Sequence, residues 1–516
     1  RSSKYMFNTV QVDALAGIGK YLESYEGYGI SYEDVHDAIN EHDISSAKGK
    51  FYPTSHTGKN EKRSQFFKAS FDILDKYVLT ATLRRDGTDK FFPGNKYALF
   101  PSVSGAWKIS NENFLKNISW INLLKLRASW GKTGQDNLGS SLYGSYAPNN
   151  FKVNFSDNGI INIPYVSMGA NYPDVSWQKT TMKNIGLDFY LLSDRISGSF
   201  DFFRNDITRL LGYASTSPLA IYETRPINGG HYYRRGWELM VDTKNLVGEF
   251  TWDTSLTFSK TNSFWKERLP NYDYQIYQQR ENEPMSAYYY YNVTGIINTD
   301  RSNMPESQKT LQAEAQLPGC PIIEDKNKDG KIDENDVYMK DNSPAIYVGI
   351  GNTFTYKRFE FSFFMYGQFG IQKYNIAYSA AQAGPLAVDY PENSNKFAYR
   401  LWNSQTNPNG SRPGLAIGKM GALPGNAWVN ADRENASFMR MRNITLAYNL
   451  AGNILGSLQR YVRNIKVYVD AQNPFILTKF QGFDPEIYTG GGGASGGSRG
   501  EYPQTRTFSL GVNITF

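Results

Sequence analysis

Between Thr181 and Leu191 the side chains alternate: Ile185, Leu187, Phe189 and Leu191 are apolar, and Asn184, Gly186, Asp188 and Tyr190 sit between them. Ile196, Phe200 and Phe202 oppose Ser197, Ser199 and Asp201, while Trp252, Leu256 and Phe258 oppose Asp253, Ser255, Thr257 and Ser259. The same rhythm sets Ile465, Val467 and Val469 against Lys466, Tyr468 and Asp470. It returns at the end, where Phe508, Leu510, Val512, Ile514 and Phe516 alternate with Thr507, Ser509, Gly511, Asn513 and Thr515. Successive side chains of a strand point to opposite faces, whereas a 3.6-residue helix would scatter each set around its circumference. These segments are therefore strands with one oily and one wet face.

A chain of 516 residues with 20% charged side chains and a mean hydropathy of −0.52 has no run near the ~20 apolar residues of a membrane helix. If such a chain enters a membrane it does so as a barrel, since only helices and closed barrels satisfy every backbone hydrogen bond in lipid. A final amphipathic strand ending on Phe516 fits the closing strand of a bacterial outer-membrane barrel. Cys320 is the single cysteine, so no internal disulfide framework exists. The net charge of +6 is spread along the chain, which argues against a nucleic-acid partner.

Strands are expected over 66–74, 77–85, 97–109, 123–132, 179–192, 196–206, 236–244, 250–260, 346–356, 359–369, 437–449, 463–473 and 507–516. The gaps between them alternate in length. Tight turns fall at Asp75-Lys76, Ser193-Asp194-Arg195, Asn245 to Glu249 and Lys357-Arg358, and long excursions follow Thr133, Ile207, Thr261, Gly370 and Pro474. Barrels in the outer membrane have short periplasmic turns and long extracellular loops, so Phe516 is expected on the periplasmic side. Thirteen strands is odd where single-chain barrels are even, so a further strand is expected within Tyr5 to Ile18, or before Arg1. Arg1 opens directly on Ser2, Ser3 and Lys4 with no leader, and the chain is expected to be the C-terminal part of something longer. Residues 1–62 are read as a partial strand and extracellular loop segment, and 63–516 as barrel strands and loops.

Several segments, spread from about residue 80 to the end, resemble the SusC/RagA-like TonB-dependent transporters of Bacteroidota outer membranes. They are Leu83-Arg84-Arg85-Asp86-Gly87-Thr88, Phe100-Pro101-Ser102-Val103-Ser104-Gly105-Ala106-Trp107 and Leu124 to Gly134. Further on come Tyr172-Pro173-Asp174-Val175-Ser176-Trp177, Phe438 to Tyr448, and Gln472-Asn473-Pro474-Phe475 leading to Gly482-Phe483-Asp484-Pro485-Glu486. The resemblance implies an all-β fold, an antiparallel transmembrane β-barrel with long extracellular loops. This chain would supply the C-terminal portion of about 22 strands around a plugged lumen. It also implies import of oligosaccharides or peptides, driven by TonB, beneath a SusD-like surface lipoprotein lid. Lipid and lipopolysaccharide of the outer membrane would surround the barrel. The family's N-terminal extension, TonB box and plug have no counterpart here, so contact with TonB is expected through a region this sequence lacks.

One motif carries metal chemistry. In Asp325-Lys326-Asn327-Lys328-Asp329-Gly330-Lys331-Ile332-Asp333-Glu334-Asn335-Asp336, oxygen ligands fall at loop positions 1, 3, 5, 9 and 12. Gly330 provides the sharp turn and Lys331 a backbone carbonyl, which is the EF-hand calcium pattern. The candidate ligands are Asp325, Asn327, Asp329, Lys331, Asp333 and Asp336. Asp336 is shorter than the usual bidentate Glu, so a weak structural Ca2+ site, on the order of 0.1–1 mM, is expected. The alternative is an Asp/Asn/Gly-rich turn with no ion.

No enzyme is expected. Gly493-Ala494-Ser495-Gly496-Gly497 spells a nucleophile elbow, but it lies in a glycine-rich run without the flanking strand and helix that motif requires. Gly131-Lys132-Thr133 lacks the first glycine of a phosphate loop, and His36, His42, His56 and His231 form no ligand spacing. Tyr288 to Tyr291, Trp265, Trp402 and Trp428 read either as cargo-stacking rings or as girdle and loop packing, so no substrate residue is assigned. A passive porin and a soluble or surface β-rich binding protein are the alternatives to a transporter.

Overall fold

A computed structural model describes residues 2–7, 9–32, 51–138, 142–143, 146–148, 155–157, 160–162, 165–167, 171–216, 224–270, 274–279, 281–375, 400–414, 423–424, 428–430, 433–451, 455–456, 460–482, 484–486 and 504–516. Their dominant element is one antiparallel sheet of sixteen strands, fifteen of them along a single path. In order these are Ser2–Phe7, Val10–Tyr32, Phe51–Ile73, Tyr77–Thr88, Tyr97–Lys108, Ile121–Gln135, Gln178–Leu191, Ile196–Ser215, Thr224–Leu246, Phe250–Glu267, Ile346–Tyr356, Phe359–Phe369, Phe438–Ala451, Asn464–Gln472 and Thr507–Thr515. The short strand Ile476–Thr478 pairs beside this path onto Phe438–Ala451. Each long strand neighbours the next in sequence, the up-and-down connectivity of a barrel wall. None of the described helices is long and apolar enough to cross a membrane.

Register preserves the alternation across the sheet. Leu187 lies opposite Leu126 and Phe200, Phe200 opposite Leu239, Val241 opposite Leu256, and Leu256 opposite Ile350. Leu446, Val469 and Leu510 continue the apolar face at the far end. A slip of one residue would turn each of these to the polar face, so the oily set itself holds the register. Protein does not cover that face: Ile514 is 49% exposed, and Leu187 and Leu256 are only partly buried. A second packed sheet would have made them dry, which removes the sandwich alternative.

Two expectations about the strands need correction. The path holds fifteen strands, because Tyr5 to Ile18, where one strand beyond the thirteen was expected, contributes to a hairpin of two, Ser2–Phe7 against Val10–Tyr32. Most of the excursion expected after Ile207 is itself paired strand, since Ile196–Ser215 and Thr224–Leu246 keep one register across Arg209 and Gly230, where both backbones turn to positive φ, and leave only 216–223 between them. The physical reason is the same in both places. Strands of 23 residues, such as Val10–Tyr32 and Phe51–Ile73, extend about 75 Å, more than twice the ~30 Å of hydrocarbon. Beyond the lipid they need ladder hydrogen bonds and polar cross-strand pairs, such as Lys20 Nζ to Glu61 at 3.0 Å, but no oily face. Alternation therefore stops before the strand does.

The turns at the opposite end are tight. Leu74 and Asp75 take φ of 57° and 52°, the two left-handed residues of a hairpin turn whose twist suits its strands. The long-loop end carries separate small structure. Ala287–Tyr291 pairs with Tyr338–Asp341 and Trp428–Val429, and Val293–Ile296 pairs with Pro321–Ile323. Around them Tyr277, Tyr291, Leu311, Ala315, Ile323, Ile332, Val337 and Leu423 close an apolar core. We refer to this unit as the outer cap.

Candidate functional site

The polar face of the sheet is charged and internally paired. Arg127 reaches across two strands, donating from Nε to Asp188 at 2.9 Å and from Nη2 to Asp201 at 2.9 Å, while Lys125 Nζ donates to Asp188 at 3.2 Å. Gly186 permits this crossing, since a Cβ there would lie 2.3 Å from Asp201 Oδ1 and 2.7 Å from Arg127 Nη2. Lys466 Nζ donates to Glu360 at 2.9 Å and Thr445 to Asp470 at 2.7 Å farther along the same face. Opposite charges on facing positions of adjacent strands stabilise a sheet, and paired charges keep a hydrated surface orderly. Sequence reasoning did not find this network, although opposite charges at polar-face positions of neighbouring strands were its visible signal.

In the outer cap the aromatic run resolves into packing. Tyr291 is fully buried and donates its hydroxyl to the Asp333 carbonyl at 3.0 Å and the Pro424 carbonyl at 3.1 Å. Tyr289 donates at 3.0 Å to Glu283, a carboxylate with 1% exposure that also pairs with Arg268. Burial, followed by the Glu283 charge, pushes Tyr289 up to about 12, and burial beside Asp336 raises Tyr291 as well. Arg433 lies 3.7 Å over the Tyr288 ring, Tyr290 stacks on Tyr338 at 5.7 Å, and Trp428 pairs through its backbone with Tyr290. Trp265 meets Tyr232 at 6.0 Å, and Trp402 packs on Gly319, where a Cβ would come within 2.7 Å of the indole.

The calcium-like loop is folded as a tight turn. Asp325 accepts from the Asp329 N–H at 3.2 Å and the Gly330 N–H at 2.9 Å, and Asp329 accepts from the Lys331 N–H at 3.0 Å. Asn327 accepts from the Asp329 N–H at 3.2 Å, and Asp333 accepts from the Asn335 N–H at 2.8 Å. Gly330 has φ of 87°, with open space where a Cβ would be. Asp336 stands apart: it is fully buried, and its two oxygens accept from the Lys326 N–H at 2.9 Å and the Asp333 N–H at 2.8 Å. Among the described residues no three His, Cys, Asp or Glu side chains converge as a metal group. The oxygen-rich donor set of Asp325, Asn327, Asp329, Asp333 and the Lys331 carbonyl suits a hard cation, while Asp336 is occupied in holding the turn.

The other motifs fall elsewhere. Gly131-Lys132-Thr133 lies inside the strand Ile121–Gln135, where a Cβ on Gly131 would meet Ser102 at 2.8 Å, so no phosphate loop forms. Gly493 to Gly497, His36 and His42 lie outside the described residues. His231 sits 3.6 Å from Asp206 on a strand.

A family model described as TonB dependent receptor-like, beta-barrel matches residues 2–473. The chain belongs to that family. The TonB-dependent receptor SusC of Bacteroides thetaiotaomicron is 29% identical over 475 residues, covering 90% of this chain and 44% of the relative. A TonB-dependent receptor of Formosa agariphila is 28% identical over 484 residues, covering 90% of this chain and 46% of its own length. The chain thus spans less than half the length of these relatives. The RagAB peptide transporter structure superposes with a TM-score of 0.78 at 20% identity, covering 100% of this chain and 54% of that one. This receptor barrel is an outer-membrane protein, so its apolar face meets lipid and its polar face lines the lumen.

The receptor barrel also joins two of its family-like segments at the outer mouth. Arg440, 3% exposed, donates from Nη2 to both Asp484 oxygens at 2.7 Å and from Nε to Glu486. Tyr366, directly opposite Arg440 across the strands, donates to Glu486 as well. The loop that follows Gln472 is thereby clamped onto the wall. Removing one member of such a buried pair leaves an unpaired charge, at a cost of about 3–5 kcal/mol. Sequence reading placed both segments without linking them, because nothing in their spacing says they touch.

Proposed function

We propose that this chain forms barrel wall and outer cap of a TonB-dependent importer that carries oligosaccharides or peptides across the outer membrane beneath a SusD-like lipoprotein. The observation that carries the proposal is the family match over residues 2–473, seen on a wall whose lumen face is lined with paired charges and hydroxyls. A hydrated, polar passage suits cargo that carries many hydroxyls or amides. The folded cap, with its own apolar core, offers a stiff platform for a lid protein. Within that cap we assign Asp325, Asn327, Asp329, Lys331 and Asp333 to a weak Ca2+ site that tightens the turn, with Asp336 as its internal brace.

The test is genetic and uses the full-length protein in its own cell. Deletion of the gene should abolish growth on one class of oligosaccharide or peptide as sole nutrient. Deleting TonB or the neighbouring SusD-like lipoprotein should give the same loss. Unchanged growth without TonB would favour the passive porin instead.

A further inference from the structure

We propose that the lipid-facing side of the wall carries a binding site for a phosphorylated lipid of the outer leaflet, centred on Lys183, Arg204 and Arg235. These three cations occupy directly facing positions on three adjacent strands, Lys183 opposite Arg204 and Arg204 opposite Arg235. Alternation places them on the apolar face, two residues along from Ile185, Phe202 and Trp237, which form the next rung down. Cross-strand partners on one face lie about 4.5–5.5 Å apart at Cβ, and like charges so placed repel. A stable sheet has little reason to line up three cations unless an anion joins them.

Protein supplies too little negative charge for that role. Lys132 stands one rung above the row on the neighbouring strand and Lys260 one rung below, while Lys179 lies two rungs above. Against these six cations the same face offers Asp206, which pairs with Arg204 at 3.1 Å and lies 3.6 Å from His231, and Glu267, opposite His231 at the top. Lys183 and Arg235 are exposed, and among the described residues neither has a carboxylate within ion-pair distance, although the Lys183 charge acts on Asp206 from farther away. Arg204 and Arg235 lie over aromatic rings, 4.5 Å from the Tyr233 centroid and 5.3 Å from the Phe264 centroid; Arg204 gives Nε and Nη2 to Asp206, whereas Arg235 has no such carboxylate among the described residues and keeps its guanidinium donors for an oxyanion.

Height selects the occupant. From the turn at Leu192, Lys183 is roughly 30 Å along its strand, or about 21 Å of rise at a 45° tilt. The lipid-facing apolar band of such barrels is about 25 Å tall, so the row lies within about 4 Å of its outer edge, where side chains as long as Lys and Arg reach up to the headgroups. Ile185, Phe202 and Trp237 immediately below offer an acyl chain its contact. A ligand that carries phosphate above and acyl chains below satisfies both rungs, whereas free phosphate satisfies one. The inference rests on the outer-membrane placement of the barrel and not on what it imports.

Thermal unfolding of the full-length protein, delipidated in non-ionic detergent, tests the site. The probes are monophosphorylated lipid A, its dephosphorylated form and inorganic phosphate. For the natural sequence only the phosphorylated lipid should raise the midpoint. The triple variant Lys183→Gln, Arg204→Gln, Arg235→Gln should respond with about a hundredfold weaker apparent affinity. Should the triple variant fail to fold, Arg235→Gln alone is read by lipid counting in native mass spectrometry, with loss of one bound phosphorylated lipid expected. An equal response to dephosphorylated lipid or to phosphate, or lipid retained by either variant, would overturn the proposal. Cargo import in the same variants should persist, so a failed lipid site and a failed transport reading remain distinguishable.

Discussion

The wall and the outer cap are stabilised by different physics. Along the wall many large apolar side chains stay exposed, for example Phe200 at 43%, Leu446 at 50% and Leu510 at 76%. The wall's order comes from the hydrogen-bond ladder and from lipid meeting its oily face. The cap behaves as a small water-soluble domain, with Tyr291 and Ile297 at 0% exposure and Ile323 and Val337 at 1%. A change on the wall should therefore register as a fault of insertion, and a change in the cap as local opening.

The largest effect is expected at the buried clamp that fastens the loop after Gln472 to the wall. Arg440→Ala should cost about 4 kcal/mol by stranding Asp484 and Glu486, and should expose the loop after Gln472 to protease. An unchanged digestion pattern would mean that the clamp contributes nothing. Leu256→Arg, on the lipid side of the wall, should cost about 3 kcal/mol. Urea titration of folding into vesicles measures it, and the cap should keep its protease resistance. Ile323→Ala should cost a similar ~3 kcal/mol through the cavity it leaves, but confined to the cap, with barrel folding in vesicles unaltered.

Smaller effects separate the regions further. If the cap loop binds calcium with Kd near 1 mM, then 10 mM should add about 1.4 kcal/mol to cap stability. Protease protection of 268–345 would report that gain, and Asp325→Asn with Asp329→Asn should erase it. The smallest effect sits in a periplasmic turn. Lys76 first, then Tyr77 and Trp107, hold Glu112 down from 4.5 to about 2. A depressed carboxylate stabilises the fold fully above its unfolded value, and that contribution fades as pH falls from 4.5 and is gone below about 2. Glu112→Gln should flatten the dependence of wall stability in that window, as followed by an acid titration.

Legibility in the sequence followed the same division. Where lipid touches the wall, side chains must alternate, so Ile185 to Leu191 and Phe508 to Ile514 could be read directly. The alternation of tight turns and long loops was likewise readable. Above the lipid the requirement lapses, and the outer halves of Val10–Tyr32 and Thr224–Leu246 are held by pairing that leaves no period in the sequence. The cap core was illegible for a related reason: Tyr277, Leu311, Ile323 and Leu423 come together from distant turns and short bridges. The turn over Asp325 to Asp336 was visible because its Asp, Asn and Gly residues fall within one short segment. What it did not show is that Asp336 caps backbone amides. Arg440, Asp484 and Glu486 were each in view, but their contact depends on a loop closing over the wall.

The most direct measurement of the two-faced wall is a nitroxide scan of the full-length protein in lipid vesicles. With Cys320→Ala as background, single cysteines are placed in turn at Ser255, Leu256, Thr257 and Phe258. Collision with oxygen, which concentrates in lipid, should peak at 256 and 258. Collision with a water-soluble nickel chelate should be greater at 255 and 257. Accessibility that is flat along the four positions, or that favours the chelate at 256 and 258, would contradict a wall with lipid on one side and a hydrated passage on the other.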